Sequence, residues 1–521
     1  MSKWYPGRRL SWWRLSIVLA VCVGLTAGAW FAWGTWEDQR EAEARQSWVG
    51  GYVDVTATPT YDFEQRGPND DRNIVLSFIV GDPERACVPS WGGYYGMNEA
   101  QAALDLDRRL ARFRALGGSA MVSFGGAANS DLAVACTDPK KLASAYASVV
   151  ERYGTRAIDM DIEGDLLRNS SALRRQAAAI ADLQATRAED RTVDVWLTLP
   201  VTVEGLDAAG QDVVRIYLDA GVRLAGVNAM TMNYNDALTR SMTSKVRSSL
   251  SGLHTQLRSL YAEHDIALGT ATAWAMVAAT PMIGQNDVRE EVFTLDDAAA
   301  LSRFANAQGI ARLSYWSSNR DRSCDPNWPD PRVVSSSCSG VVQDERGFLA
   351  ALSAGRTDEI AQAAEPPAPD PDANLADDPA TSPYPIWVEG ASYPAGTKIV
   401  WRRNVYEAKW WTEGEQPDAP AQEGSVSPWR LIGPVLEGET PIERPTLPKG
   451  TYPDWKPSAT YERGDRVMAG EQTYEAKWWT RGDSPEAALV RPQDSPWRLL
   501  NDSEIEDVLA KLATARSSSD E

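Results

Sequence analysis

The chain has 521 residues, 43% hydrophobic and 24% charged, with a formal net charge of -20 at pH 7. That length exceeds one ordinary domain and allows one large core with attachments. The acidic balance argues against a nucleic-acid backbone as partner and suits a neutral polymer or a small molecule.

The N-terminus opens with a basic segment, 1–14, carrying Lys3, Arg8, Arg9 and Arg14. Residues 15–36, "LSIVLAVCVGLTAGAWFAWGTW", are uncharged and as long as the roughly 20 residues that a bilayer core requires. Glu37, Asp38 and Glu41 follow. The expectation is a transmembrane helix or signal anchor, with 1–14 cytoplasmic and all later residues on the cell exterior. The alternative is a signal peptide cleaved near Ala27, Gly28 and Ala29, giving a secreted protein.

Five cysteines fit export. Cys22 lies in the hydrophobic segment, which leaves Cys87, Cys136, Cys324 and Cys338. Four cysteines allow three pairings. The expected pairs are Cys324–Cys338 locally and Cys87–Cys136 between loops, with free buried thiols as the alternative. There is no Cys-x-x-Cys and the chain has 2 histidines, His254 and His264, so neither a metal nor another cofactor is expected.

Across 48–355, β-rich runs alternate with amphipathic helical stretches such as "SSALRRQAAAIADLQAT". The runs are "GYVDVTA", "NIVLSFIV", "AMVSFGG", "AIDMDIE", "VDVWLTLP", "GVNAMTM", "IALGTATAW" and "ARLSYWS". This alternation predicts an α/β fold, a parallel (β/α)8 TIM barrel, with an open doubly wound sheet second. The latter would usually carry a Gly-rich phosphate turn after its first strand, and "VDVTATPTYD" has none. Residues 356–383 are rich in Pro, Ala and Asp and read as a stiff acidic linker.

An internal repeat follows. Trp387, Tyr393, Tyr406, Trp410 and Trp429 return at constant spacing as Trp455, Tyr461, Tyr474, Trp478 and Trp497. Each copy, 384–433 and 451–501, reads as a small β module, with a Pro-rich link over 434–450. The tail, 502–521, suggests one short amphipathic helix.

The chemistry-bearing stretch is "RAIDMDIEGD". On a strand, Asp159, Asp161 and Glu163 share one face, while Ile158, Met160 and Ile162 share the other. In a barrel the apolar set meets the helices, so the acids face the interior and Glu163 reaches the C-terminal mouth. Carboxylates spaced about 6.6 Å along a strand cannot all ionise cheaply, so a proton is held among them. A solvated acidic face and a divalent-metal site are the competing readings of the bare pattern.

"AIDMDIE" resembles the catalytic strand of glycoside hydrolase family 18, the chitinase family, with its Asp-x-x-Asp-x-Asp-x-Glu signature. "VSFGG", "NAMTMNYND", "TPMIGQND" and "SYWSSNRD" resemble other stretches of its bacterial group, in the same order. Two positions depart: Arg156 stands at the first Asp, and Asn233 where an Asp usually precedes Tyr234. The resemblance implies a substrate-assisted reaction on 2-acetamido sugars. Glu163 would be the proton donor, Asp161 would orient the acetamido group, and Asp159 would share a proton with Asp161. Tyr234 would hold the acetamido group from the far side. Trp316 would floor the pocket, with Met232 and Asn233 beside it.

The repeated "YEAKWWT" with its closing "SPWR" is similar to the chitin-binding module of carbohydrate-binding family 5/12. That likeness implies stacking of Trp410, Trp411, Trp478 and Trp479 on sugar rings, supported by Tyr393 and Tyr461. Strand alternation leaves open that one Trp of each pair is internal. The expected protein is a monomeric chitinase acting on chitin or another N-acetylglucosamine polymer. A non-catalytic chitin-binding lectin or adhesin is the alternative from another class, and a hydrolase of other N-acetylglucosamine glycans is the nearer one.

Overall fold

The computed structural model describes residues 12–45, 47–65, 72–187, 192–236, 240–328, 330, 332–356, 376–419, 426–442, 445–470, 472–490, 495–500 and 502–517. Most of the basic segment and most of the expected linker lie outside the described residues. The chain divides into two compact units, one holding the barrel and the other the repeat.

The first unit begins with helix α1 (Trp12–Glu43), which contains the expected membrane span; positions 24, 27–29 and 31 carry side chains outside the described set. Among the described residues no helix is long and apolar enough to cross a membrane, so the expected spanning helix is not supported. The helix runs on past Trp36 through charged residues, and its C-terminal end is tied to the barrel unit. Asp38 accepts hydrogen bonds from the backbone N–H of Ala271 and Thr272, each at 2.9 Å.

Eight parallel strands follow: β1 (Trp48–Asp54), β2 (Asn73–Gly81), β3 (Ser119–Gly125), β4 (Ala157–Asp161), β5 (Asp194–Pro200), β6 (Leu224–Met230), β7 (Val277–Thr280) and β8 (Arg312–Tyr315). Each pairs with the next, and β8 returns to β1, closing the barrel. Helices rich in Ala, Leu and Arg connect most of them, for example Ser170–Ala185 and Met242–Ala262. The predicted (β/α)8 barrel is the observed fold.

Seven of the eight strand runs are where the sequence placed them. The exception is "IALGTATAW": its last residues form the short helix Thr270–Ala275, and the strand is the next run, "VAAT". The reason is a contact from a distant part of the chain. The Asp38 carboxylate satisfies two N–H groups that a helix start leaves unpaired, which stabilises helix where Thr would otherwise favour strand.

The face alternation of β4 holds. Ile158, Met160 and Ile162 are fully buried on the helix side, while Asp159 is fully buried inside the barrel. Both expected disulfides are formed, Cys87–Cys136 and Cys324–Cys338, and Cys22 is a free, exposed thiol.

In the second unit the two repeat copies fold alike. The first builds a three-stranded antiparallel sheet from Lys398–Trp401, Asn404–Ala408 and Trp429–Pro434. The second uses Arg466–Ala469, Gln472–Ala476 and Trp497–Leu499. Each sheet packs a small aromatic core: Tyr393, Tyr406 and Trp429 in one, Tyr461, Tyr474 and Trp497 in the other.

Candidate active site

A cavity of about 170 Å³ opens at the C-terminal ends of the barrel strands. Asp161, Glu163, Asn233 and Asp287 supply its charged and amide groups, while Phe78, Met230, Met232, Met282 and Trp316 supply apolar walls. A larger cavity of about 580 Å³ lies where the strands begin, around Arg45, Asp194 and Trp196. The acidic row reaches only the first, which is therefore the candidate site.

Strand register sets the row. Asp159 lies opposite Ser123 and Trp196, and Asp161 opposite Gly125 and Thr198. Gly125 has φ 103°, and a Cβ there would lie 2.1 Å from the carbonyl oxygen of Asp161. No other residue fits that place, which explains the first glycine of "VSFGG". The next N–H, of Gly126, donates to the same carbonyl at 3.1 Å. Beyond the strand, Glu163 keeps an extended backbone and projects into the cavity.

The three acids differ in surroundings. Asp159 accepts four hydrogen bonds: Thr198 Oγ1 at 2.6 Å and Arg312 Nη1 at 2.7 Å on Oδ1, Tyr52 Oη at 2.8 Å and Ser123 Oγ at 2.7 Å on Oδ2. Asp161 is buried with Oδ1 lacking any protein partner. Burial pushes its carboxyl well above the usual range, with the Glu163 and Asp159 charges adding to the shift and Arg312 opposing it. Glu163 is raised to about 6, by burial first and then by the Asp287 charge. A carboxyl poised there can deliver a proton near neutral pH.

Asn233 sits in the left-handed region, φ 50°, which Asn tolerates better than most residues. Its Nδ2 donates to Asp287 Oδ2 at 2.7 Å, and its Oδ1 accepts from the N–H groups of Asp287 and Val288. An Asp at 233 would bring a second carboxylate against Asp287. The departure at this position is thus matched by a neighbour.

Trp316 stacks on Phe78 with centroids 5.5 Å apart, and both line the cavity with Met232, as expected of Trp316 and Met232. Tyr234 is different. It is not among the residues lining the cavity; its hydroxyl bonds Ser249 at 2.9 Å and its N–H donates to Glu291, which is ion-paired with Lys245. The acetamido-holding role drawn for Tyr234 has no geometric support.

Sequence reasoning missed Tyr52, Thr198, Asn228, Asp287 and Arg312. Two signals were present. Arg312 and Ser314 alternate with Leu313 in "ARLSYWS", which puts a cation on the same interior face as Trp316, and Asp287 closes "TPMIGQND". Among the described residues no cluster of three His, Cys, Asp or Glu side chains could hold a metal.

In the modules, all four Trp of the pairs are exposed: Trp410 45%, Trp411 43%, Trp478 47% and Trp479 57%. Both pairs fall just beyond the strand ends at Ala408 and Ala476, so strand alternation does not apply to them. Tyr393 and Tyr461 are each only 8% exposed and pack edge-on against Trp429 and Trp497. Their hydroxyls accept from the N–H of Val388 and Lys456, each at 2.7 Å. They are core residues, not the sugar contacts expected from the sequence, because each packs with the buried Trp behind the sheet.

Residues 454–498 match the family described as carbohydrate-binding module family 5/12. The chain is 33% identical over 281 residues to a probable bifunctional chitinase/lysozyme of Escherichia coli K12, covering 52% of this chain and 30% of that protein. It is 32% identical over 282 residues to endochitinase 11 of Metarhizium anisopliae, covering 52% of each. The chain thus spans about half or less of the curated relatives it matches. Among solved structures, active domain 2 of a thermostable chitinase from Pyrococcus furiosus, complexed with chito-oligosaccharides, aligns with a TM-score of 0.51. It is 25% identical, over 60% of this chain and 97% of that one.

Proposed function

We propose that this protein is a chitinase, a retaining glycoside hydrolase of the family 18 type, cleaving β-1,4 bonds between N-acetylglucosamine units. The observation that carries the reading is the pair at the barrel mouth: Glu163, raised to about 6, beside Asp161, whose Oδ1 has no protein partner. The relatives named as chitinases support it.

Glu163 gives its proton to the glycosidic oxygen as the C1–O bond breaks. Asp161 Oδ1 accepts the acetamido N–H, and the acetamido carbonyl oxygen bonds C1 to form an oxazolinium ion. Water then attacks C1 as the bond from the acetamido oxygen to C1 breaks and the acetamido group re-forms, the water's proton passes to the Glu163 carboxylate, and the original anomeric configuration is restored. Trp316 and Phe78 form the apolar floor under the sugar ring. Each step uses residues of a single chain, in keeping with a monomer.

Both repeat copies are proposed as chitin-binding modules. The family match over 454–498 supports the second, and the first carries the same exposed pair, Trp410 and Trp411. Two modules on one chain raise the effective concentration of enzyme on the polymer. The two disulfides support a site of action outside the reducing cytosol, tethered at the cell surface or released.

The deciding experiment is release of soluble oligosaccharides from colloidal chitin, with the anomer of the first product read by NMR. A chain that binds chitin yet releases nothing would be a lectin, and an inverted product would exclude the acetamido route.

A further inference from the structure

Asn233 and Asn235 both sit in the left-handed region, φ 50° and 48°, on either side of Tyr234. Residues with a Cβ occupy that region at a cost, and Asn is among those that bear it best. Two such residues in three keep their conformation only where neighbouring groups over-determine it. Here the neighbours come from the segment 282–291, which follows β7, and from the helix Met242–Ala262.

Glu291 joins all three. Its Oε2 accepts from the Tyr234 N–H at 2.9 Å, and its Oε1 accepts from Lys245 Nζ at 2.8 Å. Both side chains of that ion pair are buried, Lys245 5% and Glu291 4% exposed. The carboxylate is aimed by its own segment. The Glu291 N–H donates to the Val288 carbonyl at 2.9 Å, and the Glu291 carbonyl accepts from the Asn286 N–H at 3.0 Å. Asn286 adds a second hold: its Oδ1 accepts from the Asn233 N–H at 3.2 Å, while its Nδ2 donates to the carbonyls of Met282 and Gly284. The Tyr234 side chain is docked on the same helix, its hydroxyl on Ser249 and its ring centroid 5.9 Å from Lys245 Nζ.

A buried ion pair is weak evidence of stability, because apolar side chains of similar volume serve a core as well or better. What these two residues supply that apolar ones lack is direction. Lys245 fixes one carboxylate oxygen, which leaves the other turned to the backbone beside Met232 and Asn233, and both of those line the cavity. We infer that Glu291 and Lys245 are positioning residues of the candidate site: they hold the stretch 233–235 in its left-handed conformation and thereby keep Met232 and Asn233 in the cavity wall. The effect on turnover rests on the hydrolase reading above; the hold itself does not.

Replacing either partner alone leaves a buried charge unpaired and destabilises the barrel unit. Two double variants of the full chain avoid this. Lys245→Met with Glu291→Gln removes both charges and keeps an oxygen for the Tyr234 N–H. Lys245→Met with Glu291→Met removes both charges and that oxygen, at similar volume. The Gln variant should keep KM for chitin oligomers within about twofold of wild type, and the Met variant should raise it on the order of tenfold with a smaller change in kcat. Loss of folded protein alone would lower the apparent kcat and leave KM unmoved. Equal KM in the two folded variants overturns the positioning role.

Hydrogen exchange at the Tyr234 amide reads the hold directly. That amide should be protected in wild type and in the Gln variant, and unprotected in the Met variant. A wild-type amide that exchanges as fast as those of exposed loops overturns the inference, even where the Met variant fails to fold. A wild-type chain that releases no sugar sinks the hydrolase reading alone, since amide protection is measured without turnover.

Discussion

Asn233 and Asp287 face each other across the candidate site, Nδ2 to Oδ2 at 2.7 Å, and Asp287 is the charge that adds to the raised acidity range of Glu163. The amide at 233 therefore acts on the proton donor through a neighbour. Replacing Asn233 by Asp puts a second anion beside Asp287 and removes a donor from it. Glu163 should then hold its proton to higher pH. The alkaline limb of kcat/KM, which follows ionisation of the acid, should move up by about half to one unit. Asp287→Asn removes the second cause of the shift and should move the same limb down. A profile that ignores both substitutions would show that Asp287 does not act on Glu163.

Glu163 should also cost the fold stability. Its native value, about 6, lies above the ordinary 4.5, so the native carboxyl holds a proton that the unfolded chain has released. Native binding of the extra proton means that stability falls as pH rises through the window from about 4.5 to 6, and stays lower above it. A shift of that size corresponds to about 1–2 kcal/mol at pH 7. Glu163→Gln should therefore unfold at a temperature a few degrees higher than wild type at pH 7, with no difference at pH 4. The same variant should lose about 10²–10⁴-fold in kcat on chitin. A gain in stability with loss of turnover separates a catalytic group from a structural one, for which both would fall.

Much of this site could be read from spacing alone. The acids of β4 declared their shared face because strand side chains alternate, and the apolar residues between them declared the opposite one. What escaped was what depends on distant chain. Thr198 and Arg312 reach Asp159 from other strands, and no local pattern reveals that four donors converge on one carboxylate. The helix that takes up the end of "IALGTATAW" has the same cause: Asp38, which caps it, is 234 residues from Thr272 in sequence. In the modules, the Trp pairs were ambiguous because alternation holds only within strands, and these lie just past the strand ends.

Asp38 offers a direct test of that long-range cap. Asp38→Ala leaves two N–H groups of the helix Thr270–Ala275 without their acceptor. The expected loss is about 1 kcal/mol of stability in the barrel unit, within the range for removing an N-terminal cap. Amide exchange at Ala271 and Thr272 should quicken in Asp38→Ala, while Asp38→Asn should retain most of the protection. Unchanged exchange at both amides would mean that α1 does not hold this end of the barrel.

The binding modules separate surface from core within one short sequence. Trp478 and Trp479 are exposed, and Lys477 lies 4.6 Å from the Trp478 ring centroid, so truncating either Trp removes a stacking face without opening the core. Trp478→Ala and Trp479→Ala should each weaken retention on chitin by about 1 kcal/mol, roughly fivefold, with the unfolding temperature little changed. Tyr461 behaves oppositely. Its ring packs 5.0 Å from Trp497 and its hydroxyl accepts from the Lys456 N–H, so Tyr461→Ala should cost about 3–5 kcal/mol and unfold a module this small. Tyr461→Phe keeps the ring and removes the acceptor of the Lys456 N–H. It should lose about 1 kcal/mol of stability while retaining chitin binding wherever the module is folded. Pull-down on chitin alongside thermal unfolding reads both quantities. Loss of binding by folded Tyr461→Phe would place that tyrosine at the sugar after all.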